Sequence, residues 1–109
     1  MEINEYQNKT QDTAVYPNQG SKDGFEYTLF GLCGETGELA NKYKKVLRNQ
    51  DTYLNNAGKL ADELGDVLWY VARLATELGY TLEEVASFNL DKLAMRKQYN
   101  ELKNHGSDQ

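Results

Sequence analysis

The chain has 109 residues, a single cysteine and a formal net charge of -5. This length suits one domain, and helices with short connections are the most economical way to bury a core of that size. The acidic balance argues against a nucleic-acid polymer as partner, because such binding depends on many Lys and Arg contacts to phosphates. One cysteine excludes an internal disulfide, and no segment reads as a membrane span or secretory leader, so we expect a cytoplasmic protein.

Four helices are predicted, which makes the fold class all-α. Helical spacing of apolar residues places them at about 3–15, 23–48, 57–78 and 81–102. Tyr16-Pro17 ends the first helix, Gly79 is a natural residue to follow the third, and Thr81 to Glu84 has the form of a capping box. We therefore expect one domain over residues 1–102 and a flexible tail over residues 103–109.

The apolar face of each long helix predicts the core. These positions are Phe25, Leu29, Leu32, Leu39, Tyr43, Val46 and Leu47, then Leu60, Leu64, Val67, Leu68, Val71, Leu74, Ala75 and Leu78, then Leu82, Val85, Ala86, Leu90 and Leu93. The third helix has a second surface of mostly small residues, namely Ala61, Gly65, Trp69, Ala72 and Thr76. Four short helices can hardly cover both surfaces, so we predict a subunit interface near Trp69.

Two acidic pairs lie at the border of this core. Glu35 and Glu38 on the second helix, and Glu63 and Asp66 on the third, each have the i, i+3 spacing that puts two carboxylates on one side of a helix. If the two helices fold back on each other, the four carboxylates meet and require a proton or a hard cation such as Mg²⁺. The alternative is a solvated surface in which Glu38 pairs with Lys42.

Several other residues have two readings. Asn89 faces the apolar arc of the fourth helix beside Lys92 and Arg96, which suits phosphate binding as well as a structural network. Cys33 is predicted to be a small packed residue, because no histidine lies near it in sequence. Gly31 and Gly34, on the acidic flank, predict close approach of a ligand or a neighbouring helix.

Several motifs together resemble the small MazG-like nucleotide pyrophosphohydrolases. They are Gly31-Leu32-Cys33-Gly34-Glu35-Thr36-Gly37-Glu38-Leu39-Ala40, Lys44-Lys45-Val46, Asp62-Glu63-Leu64-Gly65-Asp66-Val67-Leu68-Trp69-Tyr70, Leu82-Glu83-Glu84-Val85-Ala86 and Asn89-Leu90-Asp91-Lys92-Leu93-Ala94-Met95-Arg96. The amino-terminal segments Glu5-Tyr6-Gln7 and Thr13-Ala14-Val15-Tyr16-Pro17 also match, so the resemblance covers roughly residues 5–97.

The resemblance implies a four-helix bundle completed as a homodimer or a dimer of dimers. It implies Mg²⁺, with Mn²⁺ as a possible substitute, and hydrolysis of nucleoside triphosphates between the α and β phosphates. The metal ligands carried over are Glu35, Glu38, Glu63 and Asp66. Gly34 stands where the family motif has its first acid, which leaves the number of metal ions and the general base open.

The resemblance also suggests roles around the metal. Phosphate groups are assigned to Asn89, Lys92 and Arg96, with Lys45 assisting, and Glu38 or Glu35 is the catalytic carboxylate. Base and sugar are expected near the first helix and its loop, where candidates are Gln7, Tyr16 and Tyr70. Two alternatives stay open at this point: an all-α hydrolase of the dUTPase type, and a non-catalytic helical adaptor on the same fold.

Overall fold

A computed structural model describes residues 1–107, and the side chains of residues 1–103. The fold is all-α, as predicted. Its helices are α1 at Ile3–Thr10, α2 at Lys22–Arg48, α3 at Ala57–Glu77 and α4 at Leu82–Ser107. Single 3₁₀ turns occur at Gln11–Thr13 and Leu54–Asn56. Within the described residues, no helix combines the length and the apolar character needed to cross a membrane.

The internal helix ends agree with prediction to within one residue, and larger differences occur at the two ends of the chain. The first helix gives way to its 3₁₀ turn at Gln11, and α4 continues to Ser107, beyond the predicted end at Leu102. The last two residues of the predicted flexible tail, 108 and 109, lie outside the described part of the chain.

The turn between α3 and α4 follows the predicted signals closely. Gly79 has a φ of +83°, and the amide of Tyr80 donates to the carbonyl of Ala75 at 2.9 Å, which is the Schellman arrangement. The capping box also forms. The Thr81 amide donates to Glu84 Oε1 at 2.9 Å, and the Glu84 amide donates to Thr81 Oγ1 at 3.1 Å.

The two long central helices, α2 and α3, form the main packed pair of the chain. Their short connection requires them to run antiparallel. Across the far end of α3, α1 and the first turn of α4 enclose a small core of Ala72, Ala75 and Leu82, with Tyr6 and Val71 packed against it. Because α2 packs against α3, the acidic residues of the two helices lie on one side of the pair.

Much of the predicted core is not covered within one chain, and these predictions were wrong for the isolated chain. Exposed members of the predicted set are Tyr43, Leu47, Leu64, Leu68, Leu78, Val85, Ala86, Leu90 and Leu93. The physical reason is that α4 does not return along α2 and α3, so the bundle stays open on that side. Leu82, in the first turn of α4, is the position of that helix that is buried as predicted.

The surface predicted as a subunit interface is partly covered by the chain itself. The Trp69 indole N–H donates to Thr13 Oγ1 at 2.8 Å, Thr76 Oγ1 accepts from Gln7, and Ala72 is fully buried. The amino-terminal segment therefore lies on the Trp69 side of α3. Ala61, Gly65 and Thr76 of that surface are exposed, so the amino-terminal segment covers it only in part, and the predicted subunit interface stays a prediction.

Candidate metal centre

Three carboxylates meet where α2 and α3 pack together. Glu35 on α2 and Glu63 and Asp66 on α3 each place one oxygen so that the three atoms lie within 4.8 Å of one another. Glu35 and Glu63 are half-buried and Asp66 is exposed, so the cluster opens to solvent on one side. Several carboxylate oxygens around one point suit a hard divalent cation.

The electrostatics of Glu35 show how unfavourable this cluster is without a cation. Burial raises the pKa of the Glu35 carboxyl, and the negative charges of Asp66, Glu63 and Glu38 raise it further. Each cause disfavours the charged form. At this position the chain requires either a proton or a positive charge.

Glu38 lies near this cluster without joining it. Its side chain is exposed, and its oxygens are not among those within 4.8 Å of each other, although its charge acts on Glu35. The predicted group of four acids is therefore a group of three, with the fourth beside it on the solvent side.

Lys42 occupies the border of the cluster. Its ammonium nitrogen lies 3.6 Å from Glu63 Oε1, which links α2 to α3. The sequence pattern pairs Lys42 with Glu38 one turn away, whereas the structure pairs it across the helix interface. The spacing along one helix could not reveal this contact, because it depends on the neighbouring helix.

Tyr70 on α3 lies beside the acidic cluster and packs against α2. Its ring lies on Gly31, and a Cβ at that position would collide with it, so the predicted close approach at Gly31 is made by a neighbouring helix. Gly34 has open space around it instead. Burial raises the pKa of the Tyr70 phenol, and Tyr27, Glu35 and Asp66 nearby raise it further.

Gln7 and Tyr16, the other two residues predicted to contact the base or sugar, bond to residues of the same chain instead. The Gln7 amide donates to Thr76 Oγ1 and to the carbonyl of Tyr80, and its oxygen accepts from the amide of Leu82 at 2.8 Å. It therefore fastens the α3–α4 turn. This leaves Tyr70 as the candidate closest to the acids.

Tyr16 is buried against α3. Its hydroxyl donates to Glu77 Oε1 at 2.6 Å, and its ring stacks on Tyr27 at 5.2 Å between centroids. Burial raises the pKa of the Tyr16 phenol, and the bond to Glu77 adds to this. Tyr16 thus holds the amino-terminal loop onto the far half of α3.

Arg73 was missed by the sequence reasoning. It is 2% exposed and donates to the side chains of Thr10, Gln11 and Tyr16, so it anchors the amino-terminal segment on α3. The available signal was one charged residue inside the apolar run Val71 to Ala75. Without this arginine, the side chains of Thr10, Gln11 and Tyr16 would each lose a hydrogen-bond donor, and the loss would cost stability.

Among the described residues, no ion pair links the predicted phosphate-binding residues to the acids. Asn89, Lys92 and Arg96 are all exposed on α4, and Lys45 is exposed on α2, toward its last turn. Cys33 is exposed as well, so the prediction that it packs inside was wrong. The reason is that it lies on the side of α2 that no other described element covers.

Carboxylates on two paired antiparallel helices define a site that can hold a divalent cation against phosphate oxygens. The comparisons with known proteins agree with this class. The family model of the MazG nucleotide pyrophosphohydrolase domain matches residues 24–100, and the chain belongs to this family. The matched segment contains all four acids and the whole of α3.

A curated relative covers nearly the entire chain. The chain is similar to the Gene 37 protein of Mycobacterium phage L5, with 43% identity over 113 aligned positions, 99% of this chain and 99% of the relative. No solved structure matches the chain.

Proposed function

We propose that this chain is a Mg²⁺-dependent nucleoside triphosphate pyrophosphohydrolase. It cleaves ribo- or deoxyribonucleoside triphosphates between the α and β phosphates and releases a monophosphate and pyrophosphate. The observation that carries the proposal is the convergence of Glu35, Glu63 and Asp66 within 4.8 Å, in a chain of the MazG family. Such an activity serves to control or clear a nucleotide pool.

The donor set fits magnesium. All three converging groups are carboxylates, and Mg²⁺ prefers oxygen ligands and retains several waters, for which the exposed side at Asp66 leaves room. The ammonium of Lys42 lies 3.6 Å from Glu63 Oε1 and offsets part of the negative charge there, so a bound ion would compete with it for Glu63. When bound, the ion supplies neutralisation of the triphosphate charge and activation of water, and Mn²⁺ with similar ligand preferences can replace it.

Glu38 is the proposed general base. Its carboxylate lies on the solvent side of the cluster, where it can accept the proton of a water that attacks the α phosphorus. A new oxygen–phosphorus bond forms, and the bond from that phosphorus to the bridging oxygen of the β phosphate breaks. The divalent cation would be held by the carboxylates of Glu35, Glu63 and Asp66, and its charge would offset the charge of the triphosphate.

The remaining roles follow from charge and shape. Lys45, Asn89, Lys92 and Arg96 are proposed to bind the polyphosphate chain, because cationic and amide donors stabilise the charge that spreads over phosphate oxygens. Tyr70, packed on Gly31 beside the acids, is proposed to contact the sugar or base.

Pyrophosphate release from a panel of canonical and modified triphosphates, with and without Mg²⁺, tests the proposal. We expect release only with Mg²⁺ or Mn²⁺, and a monophosphate as the second product. Glu63→Gln and Asp66→Asn should each lower kcat/KM by about 10²-fold or more, since each removes a charged ligand.

The matched control is Glu26→Gln. Glu26 also lies on α2, but it forms an ion pair with Lys22 and is not part of the acidic cluster. Its activity should equal that of the wild type. Activity confined to dUTP would indicate the dUTPase-type alternative. Pyrophosphate release that survives both Glu63→Gln and Glu38→Gln would contradict the assigned site, and no release from any triphosphate would favour a non-catalytic adaptor.

A further inference from the structure

Tyr27 on α2 has an aromatic ring that is covered on one side and open on the other. Its plane stacks on the ring of Tyr16, with the centroids 5.2 Å apart and 12° between the planes. Tyr16 is 6% exposed, whereas Tyr27 is 46% exposed. Because Tyr16 covers one face of the Tyr27 ring, the exposed area belongs to the opposite face and the ring edge. Among the described residues, no second aromatic ring pairs with Tyr27.

The stack is supported from behind by α3. The Tyr16 hydroxyl donates to Glu77 Oε1 at 2.6 Å and accepts from Arg73 at 3.4 Å. The guanidinium carbon of Arg73 also lies 5.8 Å from the centroid of the Tyr16 ring, within the range of a cation–π contact. Tyr16 is therefore held by two residues of α3, and Tyr27 rests on a fixed ring. A surface that is already ordered loses little conformational freedom when a ligand binds to it.

Tyr27 lies on the same side of α2 as the acids. At 3.6 residues per turn, Tyr27, Gly31, Glu35 and Glu38 fall within an arc of about 80°. Tyr27 comes eight residues before Glu35, which places it about 12 Å away along the helix axis. A nucleotide has its base at one end and its phosphates at the other, with the sugar between them. With its phosphates at the carboxylates and its long axis along α2, it brings its base to Tyr27.

Tyr70 lies between the stack and the acids. Its ring packs on Gly31, which is one turn from Tyr27 and one turn from Glu35. Burial raises the pKa of the Tyr70 phenol, and Tyr27, Glu35 and Asp66 raise it further, so this phenol is near both groups. The surface from Tyr27 to the carboxylates is therefore continuous. Tyr70 occupies the middle of it, at the position of a sugar, and Tyr27 occupies the end that is remote from the acids.

The chemistry of the Tyr27 ring suits a purine or pyrimidine base. The open face is flat and carries no charge, and stacking on an aromatic ring is favourable for every base, because each base has a π face. The contact depends on the area of overlap and does not require matching donors and acceptors. A purine, with two fused rings, covers more of the phenol ring than a pyrimidine does.

We propose that Tyr27 is the stacking platform for the base of the triphosphate, with Tyr16 supporting it from the opposite face. Tyr27 adds affinity for any base and favours purines over pyrimidines through ring area. This rests on the proposed function for the identity of the ligand, a triphosphate with its cation. It assigns the base contact to a residue that the sequence motifs did not single out, and it gives Tyr16 a supporting role in place of a direct contact.

Calorimetry with two kinds of ligand separates the base from the phosphates. The first is the α,β-methylene analogue of ATP, which cannot be cleaved between those phosphates, and the second is inorganic tripolyphosphate, which has no base. Tyr27→Leu removes the π surface and keeps a large apolar side chain. With Mg²⁺ present, we expect it to lower affinity for the ATP analogue by about 5- to 150-fold. Affinity for tripolyphosphate should stay unchanged, which also shows that the variant is folded.

Two control variants accompany this measurement. Tyr27→Phe keeps the aromatic ring and should bind both ligands as the wild type does. Phe30→Ala removes another exposed ring of α2, since Phe30 is 66% exposed and lies on the side of Tyr27 that faces away from Glu35. It should also bind both ligands as the wild type does. The wild type should bind the ATP analogue more tightly than the corresponding UTP analogue, and Tyr27→Leu should reduce this preference.

Fluorescence gives a direct signature of stacking. An α,β-methylene triphosphate that carries 2-aminopurine as its base loses emission when that base stacks on an aromatic ring. At concentrations that saturate each variant, we expect strong quenching in the wild type and in Tyr27→Phe, and little quenching in Tyr27→Leu. Quenching that is equally strong in Tyr27→Leu would place the base on another ring and would overturn the proposal.

The binding results separate this proposal from the proposed function. If Tyr27→Leu weakened the binding of the ATP analogue and of tripolyphosphate equally, the ring would support the fold and not the base. Unchanged affinity of this variant for the ATP analogue would overturn the platform as well. A wild-type chain that binds tripolyphosphate as tightly as the ATP analogue would leave the phosphate site standing and remove the base platform. A wild-type chain that binds neither ligand would contradict both proposals.

Discussion

Lys42 and Glu63 form an ion pair between α2 and α3, with the ammonium nitrogen 3.6 Å from Oε1. Glu63 is also one of the three carboxylates that converge at the candidate metal centre. The Glu63 carboxylate therefore contacts the Lys42 ammonium and also faces the position proposed for a divalent ion. We therefore expect metal affinity at the proposed site to depend on a residue that is not a ligand.

Replacing Lys42 by Gln should tighten the binding of Mn²⁺ or Mg²⁺ in the absence of nucleotide. The change removes a positive charge that competes for Glu63, and an exposed pair of this kind is worth up to about 1 kcal/mol, or roughly two- to fivefold in affinity. Titration calorimetry, or the electron paramagnetic resonance signal of free Mn²⁺, measures the effect. Lys42→Arg should bind as the wild type does.

Lys22→Gln is the matched control for this prediction. Lys22 also forms an ion pair on α2, with Glu26 at 3.2 Å, but away from the acidic cluster. Its loss should leave metal affinity unchanged. Weaker metal binding in Lys42→Gln would show that Lys42 supports the ion and does not compete with it.

Gly31→Ala should destabilise the fold, whereas Gly34→Ala should not. The Tyr70 ring occupies the space that a Cβ at Gly31 needs, so the added methyl group forces α2 and α3 apart, at a cost of about 1–3 kcal/mol. At Gly34 the space is open, and alanine should stabilise the helix by about 0.5–1 kcal/mol. Urea unfolding followed by circular dichroism measures both, and equal midpoints would contradict the packing of Tyr70.

Stability of the metal-free chain should fall as pH rises through the raised pKa of Glu35. The folded chain holds this proton more tightly than the unfolded chain, whose carboxyl titrates near 4.5. The contribution is therefore complete below that pH and is lost as the proton leaves the folded state. Glu35→Gln should remove this dependence.

At about pH 8, Glu35→Gln should relieve roughly 0.5 kcal/mol of like-charge repulsion and raise Tm by about 2–4 °C, with little difference near pH 4. Thermal unfolding in chelator across that range gives the measurement, and Glu26→Gln is the control for loss of a carboxylate elsewhere on α2. Identical Tm profiles for Glu35→Gln and the wild type would contradict the raised pKa.

Tyr16→Phe should destabilise the chain without changing KM for the nucleotide. The hydroxyl that it removes donates to Glu77 and accepts from Arg73 at 3.4 Å, so the change takes one hydrogen bond from the half-buried Glu77 and one from the buried Arg73 and costs about 1–3 kcal/mol. Tyr99→Phe is the control, because Tyr99 is exposed on α4. A large rise in KM with unchanged stability would return Tyr16 to the base-binding role that the sequence suggested.

Local signals in the chain were sufficient for the helices and for one turn in detail. Gly79 and the Thr81–Glu84 box specify a C-terminal and an N-terminal cap through backbone geometry and nearby side chains, so neighbours in sequence decide the outcome. The i, i+3 spacing of the acids likewise fixes their direction around each helix. It does not fix a distance between helices.

Contacts between helices were decided by the tertiary structure alone. Glu35 joins Glu63 and Asp66 while Glu38 stays beside them, and Lys42 turns to Glu63, because the packing offset of α2 against α3 sets which turns face each other. Arg73 acquires its role from the amino-terminal segment, and Gln7 acquires its role from the α3–α4 turn, and each of these partners is distant in sequence. Helical periodicity predicted a buried apolar arc along α4, but a period cannot say which surface covers that arc, and within the described chain the first turn at Leu82 is the part that is covered.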